Sequence, residues 1–226
     1  MKVRKPQLLH YDAILFDVDG TLIDSAPGIL HTLEEVFQKM GVDVTGVNLR
    51  RYLGPPLRKS FGEHFTELDK IEQATRLYRE SYAVKGSHEC AAYPGAAEML
   101  QRLKDAGLVL CTATSKPTQV VTPILEEKGL AGYFDFIGGA SMDEARVNKD
   151  DVIRYVLEEN CISEEEKPSV IMVGDREHDV YGAKKTGLSV IGVLYGYGSR
   201  EELQSAGADY LCETPEETAK LLKGMM

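Results

Sequence analysis

An α/β architecture, a doubly wound parallel sheet interrupted near its start by an all-helical insertion, is what this 226-residue sequence predicts. Three observations carry the expectation. The run Ala13-Ile14-Leu15-Phe16 contains no breaker, which marks a strand covered on both faces, as in a parallel sheet. Residues 48–83 hold helical patterns and no strand signal. From Tyr93-Pro94-Gly95 onward, amphipathic stretches and short apolar runs alternate, the pattern of repeated strand-helix units.

Taken in order, the first strand leads to Asp24-Ser25-Ala26-Pro27, a helix-start signal with proline in the first turn. Ile29, Leu30, Leu33, Val36, Phe37 and Met40 then make one helical stripe, which Gly41 ends. Gly54-Pro55-Pro56 breaks the chain before two further helical patterns, around Leu57-Phe61-Phe65 and Ile71-Ala74-Leu77-Tyr78. Residues 25–92 are therefore expected to form a small helical unit, and 1–24 with 93–226 the core. In the core, helices are predicted over 96–104, 118–128, 148–158 and 180–185, with a last one from Thr214. Strands are predicted over 108–113, 133–137, 169–173, 190–194 and, at the edge, 208–211.

Composition excludes several function classes. A net charge of −10 without a basic stripe argues against nucleic acid as a partner. The basic stretch Met1–Pro6 leads to no apolar segment, and no run approaches the roughly 18 apolar residues of a membrane helix, so a cytoplasmic protein is expected. Four scattered cysteines, Cys90, Cys111, Cys161 and Cys212, read as free thiols rather than as disulfides or a zinc site.

In a doubly wound sheet, ligands bind beyond the carboxyl ends of the strands. The first strand ends in Asp17-Val18-Asp19-Gly20-Thr21. In extended backbone, two aspartates two apart share a face, and their repulsion calls for a cation between them or a proton on one. Read alone, the stretch is also an acidic strand end with a turn. The strand ending at Ala113 delivers Thr114-Ser115-Lys116-Pro117, a phosphate cradle or simply a Ser/Thr helix cap. The strand ending at Val173 delivers Gly174-Asp175-Arg176-Glu177-His178-Asp179, whose acids are ligands or caps; His178 reads as a surface residue. Lys149 opens a helix, where dipole logic favours an acid, so it is either a strand-end ligand or a solvated lysine.

Together these segments resemble the four ordered motifs of the haloacid dehalogenase-like hydrolase superfamily over essentially the whole chain. Asp17-Val18-Asp19-Gly20-Thr21 is similar to the first motif, Thr114 to the second, Lys149 to the third, and Gly174-Asp175 with Asp179 to the fourth. Two positions depart from common forms: Lys149 is followed by Asp150-Asp151 rather than proline, and Ser115 stands where many relatives carry asparagine. The resemblance implies a Rossmann-like core with a helical C1 cap, closest to phosphoglycolate phosphatase-like and 5'-nucleotidase-like members. It further implies Asp17 as nucleophile, Asp19 as general acid and base, and Mg²⁺ held by the side chains of Asp17 and Asp175 with the carbonyl of Asp19. Thr114, Ser115 and Lys149 would bind the phosphoryl group, and Asp179 would support the metal from behind.

The expected activity is hydrolysis of a small phosphorylated metabolite by a monomer or homodimer, with no nucleic acid or membrane partner. Arg50, Arg51, Arg58 and Lys59, flanking Gly54-Pro55-Pro56, are candidates for contacting an anionic leaving group, or equally a solvated basic face. Tyr195-Gly196-Tyr197-Gly198 borders the site or packs as a loop. Two alternatives stay open: a β-phosphoglucomutase-type phosphomutase, against which Ala26-Pro27-Gly28 replaces an expected histidine, and a catalytically silent binding module.

Overall fold

The structure, a computed structural model, describes residues 11–225, so the basic stretch Met1–Pro6 lies outside the described residues. Strand β1 (Ala13–Phe16) is followed by β2 (Ile23–Asp24), α1 (Ala26–Lys39), α2 (Leu57–Gly62), α3 (Leu68–Ser81) and β3 (Ala91–Ala92). The remainder alternates: α4 (Ala96–Asp105), β4 (Val109–Pro117), α5 (Thr118–Glu127), β5 (Phe136–Ala140), α6 (Lys149–Glu159), β6 (Val170–Gly174), α7 (Glu177–Thr186), β7 (Ser189–Val193), α8 (Arg200–Ala206), β8 (Tyr210–Cys212) and α9 (Pro215–Lys223).

Six strands form one parallel sheet in the order β5-β4-β1-β6-β7-β8. Its two faces follow from period-two alternation. Ile14, Phe16, Leu110, Ile171 and Val173 pack with Met99, Leu103, Val121 and Leu222 of α4, α5 and α9. Leu15, Cys111, Ala113 and Met172 pack with Val152, Val156, Val180 and Leu203 of α6, α7 and α8. Burial on both sides explains why these strands read as unbroken apolar runs.

Between β2 and β3 the chain makes a helical insertion, and those two short strands pair antiparallel, Ile23 opposite Ala92 and Asp24 opposite Ala91. Inside the insertion, Phe37 is fully buried, its ring 5.5 Å from Phe61 and 4.5 Å from His64, so α1 and α2 are joined through an aromatic contact.

Five local expectations shift. The strand expected over 108–113 runs from Val109 to Pro117, four residues beyond Ala113. The strand expected over 133–137 lies at Phe136–Ala140, because Ala131–Tyr133 forms a 3-10 turn ahead of it. Helix α7 starts at Glu177, before the expected Val180, because the Asp179 carboxylate accepts from Arg176 N at 3.0 Å and closes the first turn. Helix α8 was not anticipated; among its residues only Leu203 is buried, which leaves no stripe to detect. The β2–β3 pair escaped notice because two residues per strand carry no periodicity.

The sheet register positions the site. Phe16 stands level with Thr112 of β4 and Val173 of β6, so Asp17, Ala113-Thr114 and Gly174-Asp175 emerge together at the carboxyl edge. After β1 the chain builds β4 and β5 on one side and then returns to β6 on the other. The crevice between the ends of β1 and β6 is the topological switch point at which such sheets bind ligands.

Candidate active site

The first turn after β1 determines where its acids point. The carbonyl of Val18 accepts from Leu22 N at 2.9 Å and Ile23 N at 3.0 Å, while Gly20 takes φ of 85°. A β-carbon at Gly20 would stand 2.1 Å from Asp175 Oδ2, so glycine meets both a left-handed backbone and a close approach. The strand pleat stops at Phe16, and Asp17 and Asp19 therefore part company.

Asp17 turns into the crevice, where one carboxylate oxygen each from Asp17, Asp175 and Asp179 lie within 4.8 Å of one another. All three are buried, at 8%, 0% and 1% exposure. Lys149, at the first turn of α6, places its ammonium 2.8 Å from Asp17 Oδ1 and 2.8 Å from Asp179 Oδ1, and donates to Ala113 O at 2.9 Å. Two of its N–H bonds are thus engaged, and Asp179 Oδ1 meets the ammonium as an ion pair without a hydrogen bond of its own. Asp175 accepts from Tyr197 N at 2.7 Å and Thr21 Oγ1 at 3.3 Å. Tight backbone holds it there, since a β-carbon on Gly196 would meet the Asp175 β-carbon at 2.4 Å.

Three acids face one ammonium, and the imbalance shifts their protonation. Burial pushes the Asp17 carboxyl up to about 6; Lys149 opposes the shift, while Asp179 and Asp19 add to it. Burial, followed by Asp179 and Asp17, raises Asp175 well above the ordinary carboxylate range. For Lys149, burial disfavours the charge, but Asp17 and Asp179 outweigh it and hold the ammonium above the ordinary lysine range. A buried cluster with surplus negative charge and only oxygen donors fits a hard divalent cation.

Asp19 turns the other way. Its Oδ1 accepts from Lys116 Nζ at 2.7 Å and from Ser25 Oγ, outside the three-acid group. Lys116 also donates to Tyr82 Oη, from the helical insertion, at 2.8 Å. The cation expected between Asp17 and Asp19 is therefore replaced by two lysines, one on each acid. Thr114 is buried within β4, three residues before its end, and its Oγ1 accepts from Lys116 N at 3.2 Å. Ser115 lies half-buried beside it.

The basic residues of the insertion divide. Arg51 pairs with Glu63, and Arg58 with Glu72 and Glu144, each at 3.3 Å, so both are committed to protein carboxylates. Arg50 and Lys59 are exposed; their charges act on Tyr93 and His178 respectively. His178 is half-buried beside Arg176, outside the acid group. Sequence reasoning assigned no role to Lys116, although a lysine two residues beyond Thr114 at a strand end is a visible signal. Tyr82 had none, because its partner lies far away in the chain, whereas Tyr197 belongs to the stretch expected to border the site or pack as a loop, and its N–H reaches Asp175. The four cysteines are unbridged, and no helix among the described residues is long and apolar enough to cross a membrane.

Similarity to known proteins identifies the family. The model of the haloacid dehalogenase-like hydrolases matches residues 14–193. A 5'-nucleotidase of Pseudomonas aeruginosa is 34% identical over 206 residues, 90% of this chain and 92% of its own. A phosphoglycolate phosphatase of Vibrio parahaemolyticus is 28% identical over 220 residues, 92% and 95% of the two chains. The crystal structure of a predicted phosphatase from Clostridium acetobutylicum superposes with a TM-score of 0.88 at 42% identity, covering 95% of this chain and 99% of that one. By these matches the chain belongs to the haloacid dehalogenase-like hydrolases, among the phosphatases of that family.

Proposed function

We propose that this phosphatase is a Mg²⁺-dependent phosphomonoesterase that transfers the phosphoryl group of a small metabolite to Asp17 and then to water. The observation that carries the reading is the Lys149 ammonium bound to Asp17 and Asp179 within a buried group of three acids. A phosphomonoester dianion repels a carboxylate nucleophile unless positive charge and N–H dipoles offset it. The side chains of Asp17 and Asp175, with the Asp19 carbonyl, would hold Mg²⁺, and Asp179 would brace the site. When bound, the ion neutralises phosphoryl oxygens and the acid cluster.

In the first step an Asp17 oxygen forms a bond to phosphorus and the bond to the leaving oxygen breaks, with the Asp19 carboxyl giving that oxygen its proton. In the second, Asp19 takes a proton from water as the water oxygen bonds to phosphorus. The Asp17–phosphorus bond breaks, which releases inorganic phosphate. Lys149, the Thr114 hydroxyl and Ser115 bind phosphoryl oxygens throughout. The insertion, residues 25–92, acts as a cap that excludes water and meets the leaving group, with Arg50 and Lys59, both exposed, as the candidate contacts. Relatives named for phosphoglycolate and 5'-nucleotides support a small phosphorylated metabolite as substrate.

Phosphate release from 2-phosphoglycolate, nucleoside 5'-monophosphates, sugar phosphates and an aryl phosphate, with and without Mg²⁺, tests the proposal. Strong Mg²⁺-dependent release from one class is expected, abolished by Asp17→Asn in a chain that still folds. Wild-type-like release by that variant would remove Asp17 from the reaction, and interconversion of sugar phosphates without release would turn the reading to a mutase.

A further inference from the structure

The loop between β5 and α6 is a platform rather than a slack connection. Ser141 N donates to Arg146 O at 2.9 Å, Arg146 N to Ser141 Oγ at 3.0 Å, and Ala145 N to Asp143 Oδ1 at 3.1 Å. The Arg146 guanidinium donates to Gly139 O at 3.1 Å and lies 3.6 Å from the centre of the Tyr155 ring. At the tip Glu144 takes φ of 63°, a left-handed conformation uncommon for glutamate. Its carboxylate spans two cap helices: Oε1 accepts from Arg79 Nη2 at 2.7 Å, and Oε2 from Arg58 Nη1 at 3.3 Å. Five residues on, the same segment supplies Lys149, whose ammonium binds Asp17.

We propose that Glu144 is a positioning residue that seats the cap over the phosphate site by clamping Arg58 of α2 and Arg79 of α3 to the segment leading into Lys149. The inference rests on the reading of the chain as a capped phosphatase. The turn itself would suit glycine; the two cap arginines give a reason for a glutamate there, and strained backbone is typically retained where it serves a site. The pairs are partly exposed, with side chains 27% exposed for Glu144, 36% for Arg79 and 41% for Arg58, so each is weak and screened by salt. Such contacts bias how the cap sits without deciding whether the chain folds. Losing them lowers the fraction of molecules with the cap seated, which weakens apparent substrate binding by that fraction and leaves chemistry in the seated form unchanged.

The test compares wild type with Glu144→Gln, Arg79→Gln and the double variant, using the best substrate of the panel above at low and high NaCl. Glu144→Gln is expected to raise KM roughly three- to tenfold with kcat within about twofold. The double variant should be no worse than the poorer single one, and the wild-type KM should rise with salt while that of Glu144→Gln stays flat. Hydrogen exchange should quicken in residues 57–81 of Glu144→Gln and stay unchanged in β1 and β6. Unchanged KM and exchange, additive effects of the two substitutions, or a fall in kcat with the wild-type salt dependence would overturn the clamp. Absence of turnover in wild type would overturn the phosphatase reading instead, and the exchange comparison would then decide the clamp alone.

Discussion

Replacing Asp175 with asparagine is expected to stabilise the metal-free chain while removing its response to Mg²⁺. The substitution keeps the shape and both hydrogen bonds, since an amide oxygen can accept from Tyr197 N and an amide N–H can donate to Thr21 Oγ1. What it removes is one negative charge within 4.8 Å of two others. At an effective dielectric of ~20, two full charges at that separation repel by ~3.5 kcal/mol. Lys149 and proton uptake already relieve part of this, so the net gain at pH 7 is ~1–3 kcal/mol, or roughly 3–9 °C in Tm for a chain of this size. The pH dependence has a definite sign. The folded Asp17 carboxyl titrates at about 6 against 3.8 for an ordinary aspartate, and Asp175 is displaced the same way. At this cluster the folded chain therefore holds more protons than the unfolded one, so the cluster's contribution to metal-free stability falls as pH rises from about 4 through about 6. The Asp175→Asn variant should lose less. Thermal melts from pH 4 to 8, in EDTA and in MgCl₂, read all of this: Mg²⁺ should raise the wild-type Tm and leave the variant's unmoved. A metal-free variant that melts below wild type at pH 7, or an equal Mg²⁺ shift in both, would refute the account of the cluster.

Two further substitutions probe the same construction. Lys149→Met strands the acids without their cation and should cost about 3–5 kcal/mol at pH 7 by urea unfolding, with the deficit shrinking as pH falls and the carboxyls protonate; equal midpoints for the two chains at pH 7 would contradict the buried ion pairs. Gly20→Ala forces a β-carbon to 2.1 Å from Asp175 Oδ2 at a φ of 85°, so stability should fall by about 1–3 kcal/mol and the Mg²⁺-induced rise in Tm should disappear. A variant that keeps that rise would show that Asp175 is not held by this turn.

The parts of the fold that were legible in the chain are those governed by local physics. Two-sided strands announce themselves as apolar runs, and each run ends at the residue that enters the site: Phe16 before Asp17, Ala113 before Thr114, Val173 and Gly174 before Asp175. Illegible were the directions side chains take once the pleat is lost. Spacing put Asp17 and Asp19 on one face, but the turn at Gly20 sends Asp19 to Ser25 and Lys116. Long-range charge pairing was equally hidden. Arg58 read as a substrate contact or as part of a solvated basic face because nothing near it in the chain reveals Glu144, 86 residues away. Likewise, Arg176 read as part of an acidic motif, whereas it donates to Leu53 O and to Glu202 Oε1, tying the start of α7 to both the cap and α8.

The antiparallel pairing of Ile23 with Ala92 and Asp24 with Ala91 bears on how the chain assembles. Strands so paired lie only about 4.8 Å apart, which brings the two ends of the insertion together at its base. For the sheet, joining β1 to β4 is then a short closure through one ribbon, and the helices between contribute little to the entropy of bringing those strands side by side. The insertion holds its own aromatic contact between Phe37 and Phe61, so much of its order is local. A parallel sheet is ordinarily slow to form because its contacts are distant in sequence; here the ribbon shortens the separation of β1 from β4 by making the intervening span a side branch.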